Sequence, residues 1–273
     1  MRSTSFLSTI LVSTILFGGF SATSTFSLFA AAQANEGGAA AASIDSAVSD
    51  PARPEGDRKR DADRKPAQCL AFAGLKSGDQ VLELLPGAGY FTRIFSVAVG
   101  GAGRVYALVP PKAATAPADA PEPAARVRAI AADPHYGNVS VVVQSLKEPS
   151  LPHPIDLVWT SLNYHDLHNV AGLDIAAFNK AVFDALAPGG IYVVLDHAAE
   201  AGSGARDTNT LHRIDPQLAR KEVLAAGFEF AGESELLRNP ADSHTLKVFD
   251  PAIRGKTDQF LLKFRKPLSA VSR

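Results

Sequence analysis

Cysteine is all but missing from this 273-residue chain, with Cys69 the single example. No internal disulfide can form, so the fold has to rest on an apolar core rather than on covalent staples. An excess of charge is missing too, because 27 Lys and Arg stand against 28 Asp and Glu. A near-neutral balance offers no electrostatic footprint for nucleic acid or for an anionic membrane surface. The apolar run Phe6–Phe20, softened by Ser and Thr, falls short of the roughly 20 residues that span a bilayer. No internal repeat is present. The expected partner is therefore a small molecule, with no nucleic acid and no membrane span after processing.

The chain begins like a protein bound for export. Met1-Arg2 supplies one positive charge ahead of the apolar run, and Ala32-Gln33-Ala34 gives the small-x-small pattern at which signal peptidase cuts. No cysteine stands at the cut to carry a lipid. This pattern predicts a signal peptide over 1–34, an Ala/Gly-rich flexible linker over 35–52, a domain from Arg53 to Pro267, a tail over 268–273, and a periplasmic or secreted location. Asp57-Arg58-Lys59-Arg60-Asp61-Ala62-Asp63-Arg64-Lys65 mixes both signs at helical spacing and reads as a solvated helix face. Cys69 lies in an apolar helical stretch and reads as a small core residue.

Within the domain, strand and helix signals alternate. Val81–Leu85 reads as a buried strand, followed by a glycine turn and a helix over Tyr90–Val99. Gly103–Val109, Val139–Val143, Ile155–Thr160 and Ile191–Leu195 read as further strands. Pro110–Pro123 is rich in Pro and Ala and predicts an exposed loop before a short helix over Ala124–Ala132. Asp174 caps a helix through Leu186, which Ala187-Pro188-Gly189-Gly190 ends sharply. Asp215-Pro216 is a strong helix start, and Gly227 stops that helix after Ala226. Phe228–Ser234 and Gln259–Arg265 follow with no helix between them, which predicts a terminal antiparallel hairpin on an otherwise parallel sheet.

The richest segment is Val81-Leu82-Glu83-Leu84-Leu85-Pro86-Gly87-Ala88-Gly89-Tyr90. A strand entering a glycine turn and then a helix leaves backbone N–H groups facing whatever lies over the turn. The segment resembles the first motif of class I S-adenosylmethionine-dependent methyltransferases, with Glu83 at the acidic position, Gly87 and Gly89 on its last two glycines, and Leu85 in place of the first. A family of predicted secreted bacterial methyltransferases is similar to this chain over almost all of its mature length. The matching pieces are Arg60–Ala67, Leu85–Tyr90, Asn163–Leu167, Leu211–Pro216, Arg238–Asp242 and Phe249–Asp258.

This resemblance implies a Rossmann-like class I methyltransferase fold with a mainly parallel seven-stranded sheet. It also implies S-adenosylmethionine bound by Glu83, Leu85, Pro86, Gly87, Ala88, Gly89, Tyr90 and Asn163. Chemistry would centre on Tyr164, His165 and Asp166. Where the acceptor has to lose a proton, a carboxylate-oriented imidazole such as His165 with Asp166 can serve as general base. His165 and His168 with Asp196 and His197 are a second possible grouping, as metal ligands. Arg213, Arg238 and Arg254 fall in polar loops and are candidates for binding a small anionic acceptor, since guanidinium groups favour carboxylate and phosphate; the same arginines can instead pair with Asp215, Asp242 and Asp258. One departure is Val109, which stands where such enzymes place an acid for the ribose hydroxyls; Glu122 is a possible substitute. Val109 and the expected compartment also fit an alternative, a non-catalytic periplasmic small-molecule-binding protein on the same fold.

Overall fold

The computed structural model describes residues 38–268; the expected signal peptide lies outside them. Residues 38–49 form helix α1. Two short helices follow, α2 (Glu55–Arg58) and α3 (Asp61–Arg64), and Lys65 at φ 45° breaks the chain before Pro66 opens α4 (Pro66–Ala73). The alternating part comprises β1 (Gln80–Leu84), α5 (Tyr90–Val99), β2 (Arg104–Val109), α6 (Ala125–Ala131), β3 (Val139–Val143) and β4 (Ile155–Ser161). It continues with α7 (Tyr164–Leu167), α8 (Ile175–Ala185), β5 (Leu186–His197), α9 (Pro216–Ala225), β6 (Glu229–Ser234) and β7 (Gln259–Arg265).

The strands make one seven-stranded sheet in the order β3-β2-β1-β4-β5-β7-β6. The first five strands run parallel, while β7 is antiparallel to both β5 and β6. The expected terminal hairpin is thus present, with its second strand inserted beside β5. A register shift between Phe230 and Gly232 marks a bulge in the edge strand β6.

Alternation along the strands feeds two cores. Val81, Val105, Trp159 and Val193 point to one face, where α1, α4, α5 and α6 supply Ile44, Leu70, Phe95 and Ile130. Leu82, Val158, Tyr192 and Val194 point to the other, where α8 and α9 supply Phe178, Val182 and Val223. Successive strand residues alternate in direction, so a sheet covered on both sides carries apolar residues at nearly every position. Cys69 is fully buried, as expected, and burial pushes its thiol up to about 12, which leaves it inert.

Three expectations are corrected. Residues 38–49, assigned to the linker, are helical, and Ile44 and Ala47 lie in the first core. Their small-residue composition concealed an i, i+3 apolar pair. The Asp57–Lys65 run is not one solvated face. It is split between two helices, and several of its charges have fixed partners: Asp57 with Arg93 at 3.2 Å, Asp61 with the buried Arg53 at 2.7 Å, and Lys65 with the Leu236 carbonyl at 2.8 Å. Finally, Ala187–Gly190 does not leave the sheet. The Gly189 N–H donates to Lys266 O and the Lys266 N–H to Gly190 O, each at 2.9 Å. The register with β4 shifts between Ile155 and Leu157, so the segment is absorbed as a bulge at the start of a 12-residue β5.

Gly89 is set by packing. It sits at φ 78°, and a Cβ there would lie 2.1 Å from Ile130 Cδ1 of α6. Gly89→Ala is expected to lower stability by roughly 1–3 kcal/mol, measured by urea denaturation; an unchanged midpoint would show that α6 yields without cost.

Candidate functional site

Strand order reverses direction between β1 and β4, and in open α/β sheets ligands bind at the carboxyl ends of the strands beside such a point. The turn after β1 lies there. Leu85, Gly87 and Gly89 all have positive φ, at 52°, 59° and 78°. Leu85 occupies a left-handed position that glycine adopts more easily, and its N–H is held by Leu108 O at 2.9 Å. A Cβ added at Gly87 would meet nothing within 4 Å. Gly87 therefore fronts open space, whereas Gly89 is closed by α6.

Asn163 fixes this turn from the other side of the switch. Its Nδ2 donates to Leu84 O at 3.2 Å and Leu85 O at 3.0 Å, and its Oδ1 accepts from the Thr160 hydroxyl. With both ends of the amide engaged, Asn163 positions the turn and is not a free ligand contact. Glu83 is buried at the end of β1, where Oε2 accepts the Thr92 hydroxyl at 2.5 Å. Burial pushes its carboxyl up to about 7, against the pull of Thr92, Arg64 and Arg93.

Sequence reasoning missed Arg64. Its guanidinium lies 4.3 Å from the Tyr90 ring centroid and 5.1 Å from that of Phe91, and Nη2 donates to Ser161 Oγ at 3.2 Å. Burial lowers it to about 10, and it forms no salt bridge among the described residues. Arg64, Glu83, Leu85, Pro86, Tyr90 and Asn163 together enclose a cavity of about 30 Å³. Five of the eight expected donor-binding residues thus meet at one place, while Gly87, Ala88 and Gly89 lie outside its lining. The signal for Arg64 was its place in the Arg60–Ala67 piece, which its charged neighbours disguised.

The position at which sequence reasoning expected an acid for a ribose holds none. Val109 is core, Gln144 N donates to its carbonyl at 3.1 Å, and the Gln144 amide nitrogen is buried with no partner among the described residues. Glu122 is exposed and makes no side-chain hydrogen bond or salt bridge among the described residues.

The Asn163–Leu167 segment divides its side chains. Tyr164 is fully buried in the second core, where its hydroxyl donates to Glu222 at 3.0 Å and accepts from Asn179 at 2.8 Å. That placement removes it from the expected catalytic set. His168 follows it to Glu222, at 3.2 Å. His165 turns the other way, and its Nδ1 meets Asp196 Oδ1 at 2.8 Å while Nε2 lies 3.3 Å from Asp166. Burial opposes charge on this ring, yet Asp196 and Asp166 outweigh it and raise His165 to about 10. The two flanking carboxylates thus favour the charged form of this ring, and it can act as a base or a ligand through Nε2 only once that proton is displaced. His197 bonds Thr257 through Nδ1 at 2.8 Å, so the four-residue metal grouping is not assembled. His212, which sequence reasoning passed over, stands beside His165 instead, with ring centroids 5.5 Å apart.

The arginines are mostly structural. Arg213 is wholly buried in a two-pronged pair with Asp242 at 2.8 and 3.1 Å. Arg238 Nε donates to Asp258 at 2.8 Å. Both hold the 239–258 loop, the pairing that sequence left open, so neither is free for an acceptor. Arg254 is exposed on that loop, with no side-chain hydrogen bond or salt bridge among the described residues. Arg213 and Arg238 are joined through their partners, because the Asp258 N–H donates to Asp242 Oδ2 at 2.7 Å.

No protein-family model matches the chain, and no curated protein matches it. Solved structures do. A SAM-dependent methyltransferase from Aquifex aeolicus is similar at 16% identity and a TM-score of 0.54, over 78% of this chain and 98% of that one. An S-adenosylmethionine-dependent methyltransferase from Mesorhizobium loti is similar at 19% identity and a TM-score of 0.52, over 76% and 100%. The fold is that of class I methyltransferases. It is shared with the cyclase SpnF, at 18% identity and a TM-score of 0.53, over 76% of this chain and 82% of that one. Function therefore has to be argued from the site.

Glu83 gives the site a pH signature. Its carboxyl is raised from 4.5 to about 7 in the folded protein, so the folded state holds the proton more tightly. Stability should fall as pH rises through that window, by roughly 3 kcal/mol at full ionisation. Glu83→Gln is expected to flatten the dependence in urea titrations from pH 4.5 to 8; an unchanged slope would show that the carboxylate is stabilised in another way.

Proposed function

We propose that this chain binds S-adenosylmethionine over the β1–α5 turn and transfers its methyl group to a small acceptor at the carboxyl edge of the sheet. The observation that carries this reading is Arg64, a guanidinium without a carboxylate partner, set against Tyr90 and Phe91 beside a turn whose Gly87 faces open space. The donor ends in an α-carboxylate, which Arg64 is suited to bind, and the turn supplies backbone N–H groups close by. When bound, the donor supplies an electrophilic methyl group on a sulfonium. Displacement at such a centre mainly requires alignment, so the chain's own task is to hold donor and acceptor in line.

Two features set the terms of binding. Lacking an acid at Val109, the ribose hydroxyls forgo a charged acceptor, which costs roughly 1.5–3 kcal/mol. The cavity of about 30 Å³ is far below the roughly 300–1,000 Å³ of small-molecule sites. Admission therefore requires Arg64, with the short helices that carry it, to move. These two features also support the second reading, a binding protein that keeps the fold without the donor. The proposed location is periplasmic or secreted, supported by the pattern of residues 1–34 alone. With Arg213 and Arg238 engaged, the reading assigns no charge to the acceptor.

Calorimetry with S-adenosylmethionine and S-adenosylhomocysteine tests the reading. Both are expected to bind, and Arg64→Met should weaken both by about 10–100-fold, the loss of one charge-assisted contact. Gly87→Val should abolish binding by placing a side chain over the turn. No binding of either compound at millimolar concentration would overturn the proposal in favour of the second reading.

A further inference from the structure

His165, Asp166 and His212 bring three ligand atoms within 4.8 Å of one another at the carboxyl edge of the sheet. His165 Nε2 lies 3.3 Å from Asp166 Oδ1, and His212 Nδ1 lies 3.8 Å from the same oxygen. Two bonds of about 2.1 Å at a tetrahedral angle separate ligand atoms by roughly 3.4 Å. One of these distances already fits, and a small turn of the His212 ring would bring the other in.

The surroundings are those of a built site. Asp196 is fully buried and holds His165 twice, through Nδ1 at 2.8 Å and through the backbone N–H at 2.7 Å. That leaves Nε2 as the one imidazole nitrogen aimed at Asp166 and His212. A carboxylate on the far nitrogen is the arrangement that orients metal-binding histidines and raises their basicity. His212 is held at φ 57°, a conformation non-glycine residues rarely adopt, and its ring packs on Phe249 at 4.9 Å. His165 is buried while the Asp166 side chain is 47% exposed, so the cluster opens outward on one side. Three protein ligands with an open side describe a metal site that can bind a further ligand, as opposed to a closed structural one.

We propose that His165 Nε2, Asp166 and His212 Nδ1 form a binding site for a divalent first-row transition metal of the zinc–iron class, oriented from behind by Asp196. Two imidazoles and one carboxylate suit these ions and disfavour magnesium and calcium, which seek oxygen. The site stands on its own geometry and does not rest on the methyl-transfer reading.

The test is titration of the chelator-treated full-length protein with zinc chloride, with iron(II) under anaerobic conditions, and with magnesium chloride, followed by calorimetry and metal analysis. Cobalt(II) absorption would report the ligand geometry. One equivalent of zinc or iron is expected, with no magnesium binding. Asp166→Asn and His212→Ala, both at partly exposed side chains, should each weaken binding by at least about 100-fold, and Asp196→Asn by about 10–100-fold. Circular dichroism would confirm that each variant is folded. Failure to bind zinc or iron, or binding unaffected by Asp166→Asn and His212→Ala, would overturn the proposal. Because no donor is present, either result leaves the calorimetry with S-adenosylmethionine to stand or fall separately.

Discussion

A carboxylate fully removed from water needs either a positive partner or a set of donors, because desolvating it alone would be prohibitive. Asp196, at the end of β5, meets that demand with His165 and with the backbone N–H groups of His165 and His197. The pairing fixes where α7 begins, and through it the orientation of the whole Asn163–Leu167 segment. Asn163, two residues earlier, then locks the end of β4 onto the turn after β1. The edge of the sheet is thus assembled from β5 inward, by polar contacts in places water does not reach.

Much of the fold was legible because the signals were local. Apolar strands, the Asp174 and Asp215 caps and the stop at Gly227 each report on a few neighbouring residues. The architecture followed from their order. The misreadings arose where a local signal competed with a tertiary one. Pro188-Gly189-Gly190 resembles a turn by composition, but Lys266 across the sheet gives its backbone a ladder to join. Residues 38–49 look featureless because alanine is as much a core residue as a linker residue.

The candidate site was half legible. Glu83, Leu85, Pro86 and Tyr90 belong to one contiguous segment, so a motif sufficed to group them. Arg64 and His212 come from opposite ends of the domain, and nothing in their spacing announces a meeting at the same edge. Arg213 shows a choice that sequence left open. Its charge fitted either a ligand contact or an ion pair, and the structure uses it with Asp242 as an internal fastening for a long loop. Tyr164 was misplaced by a single step, since its hydroxyl goes to Glu222 and Asn179 while the next side chain, His165, goes to Asp196.

The bulge at Gly232 has a bearing on how this protein behaves among copies of itself. β6 is the outer strand at one end of the sheet, where unpaired N–H and C=O groups would invite a further strand. By breaking the ladder between Phe230 and Gly232, the bulge deprives an incoming strand of a continuous template. At the opposite end, β3 is only five residues long. Both margins of the sheet are thereby poor seeds for edge-to-edge aggregation, a protection achieved by backbone geometry in a chain with almost no net charge to keep its copies apart.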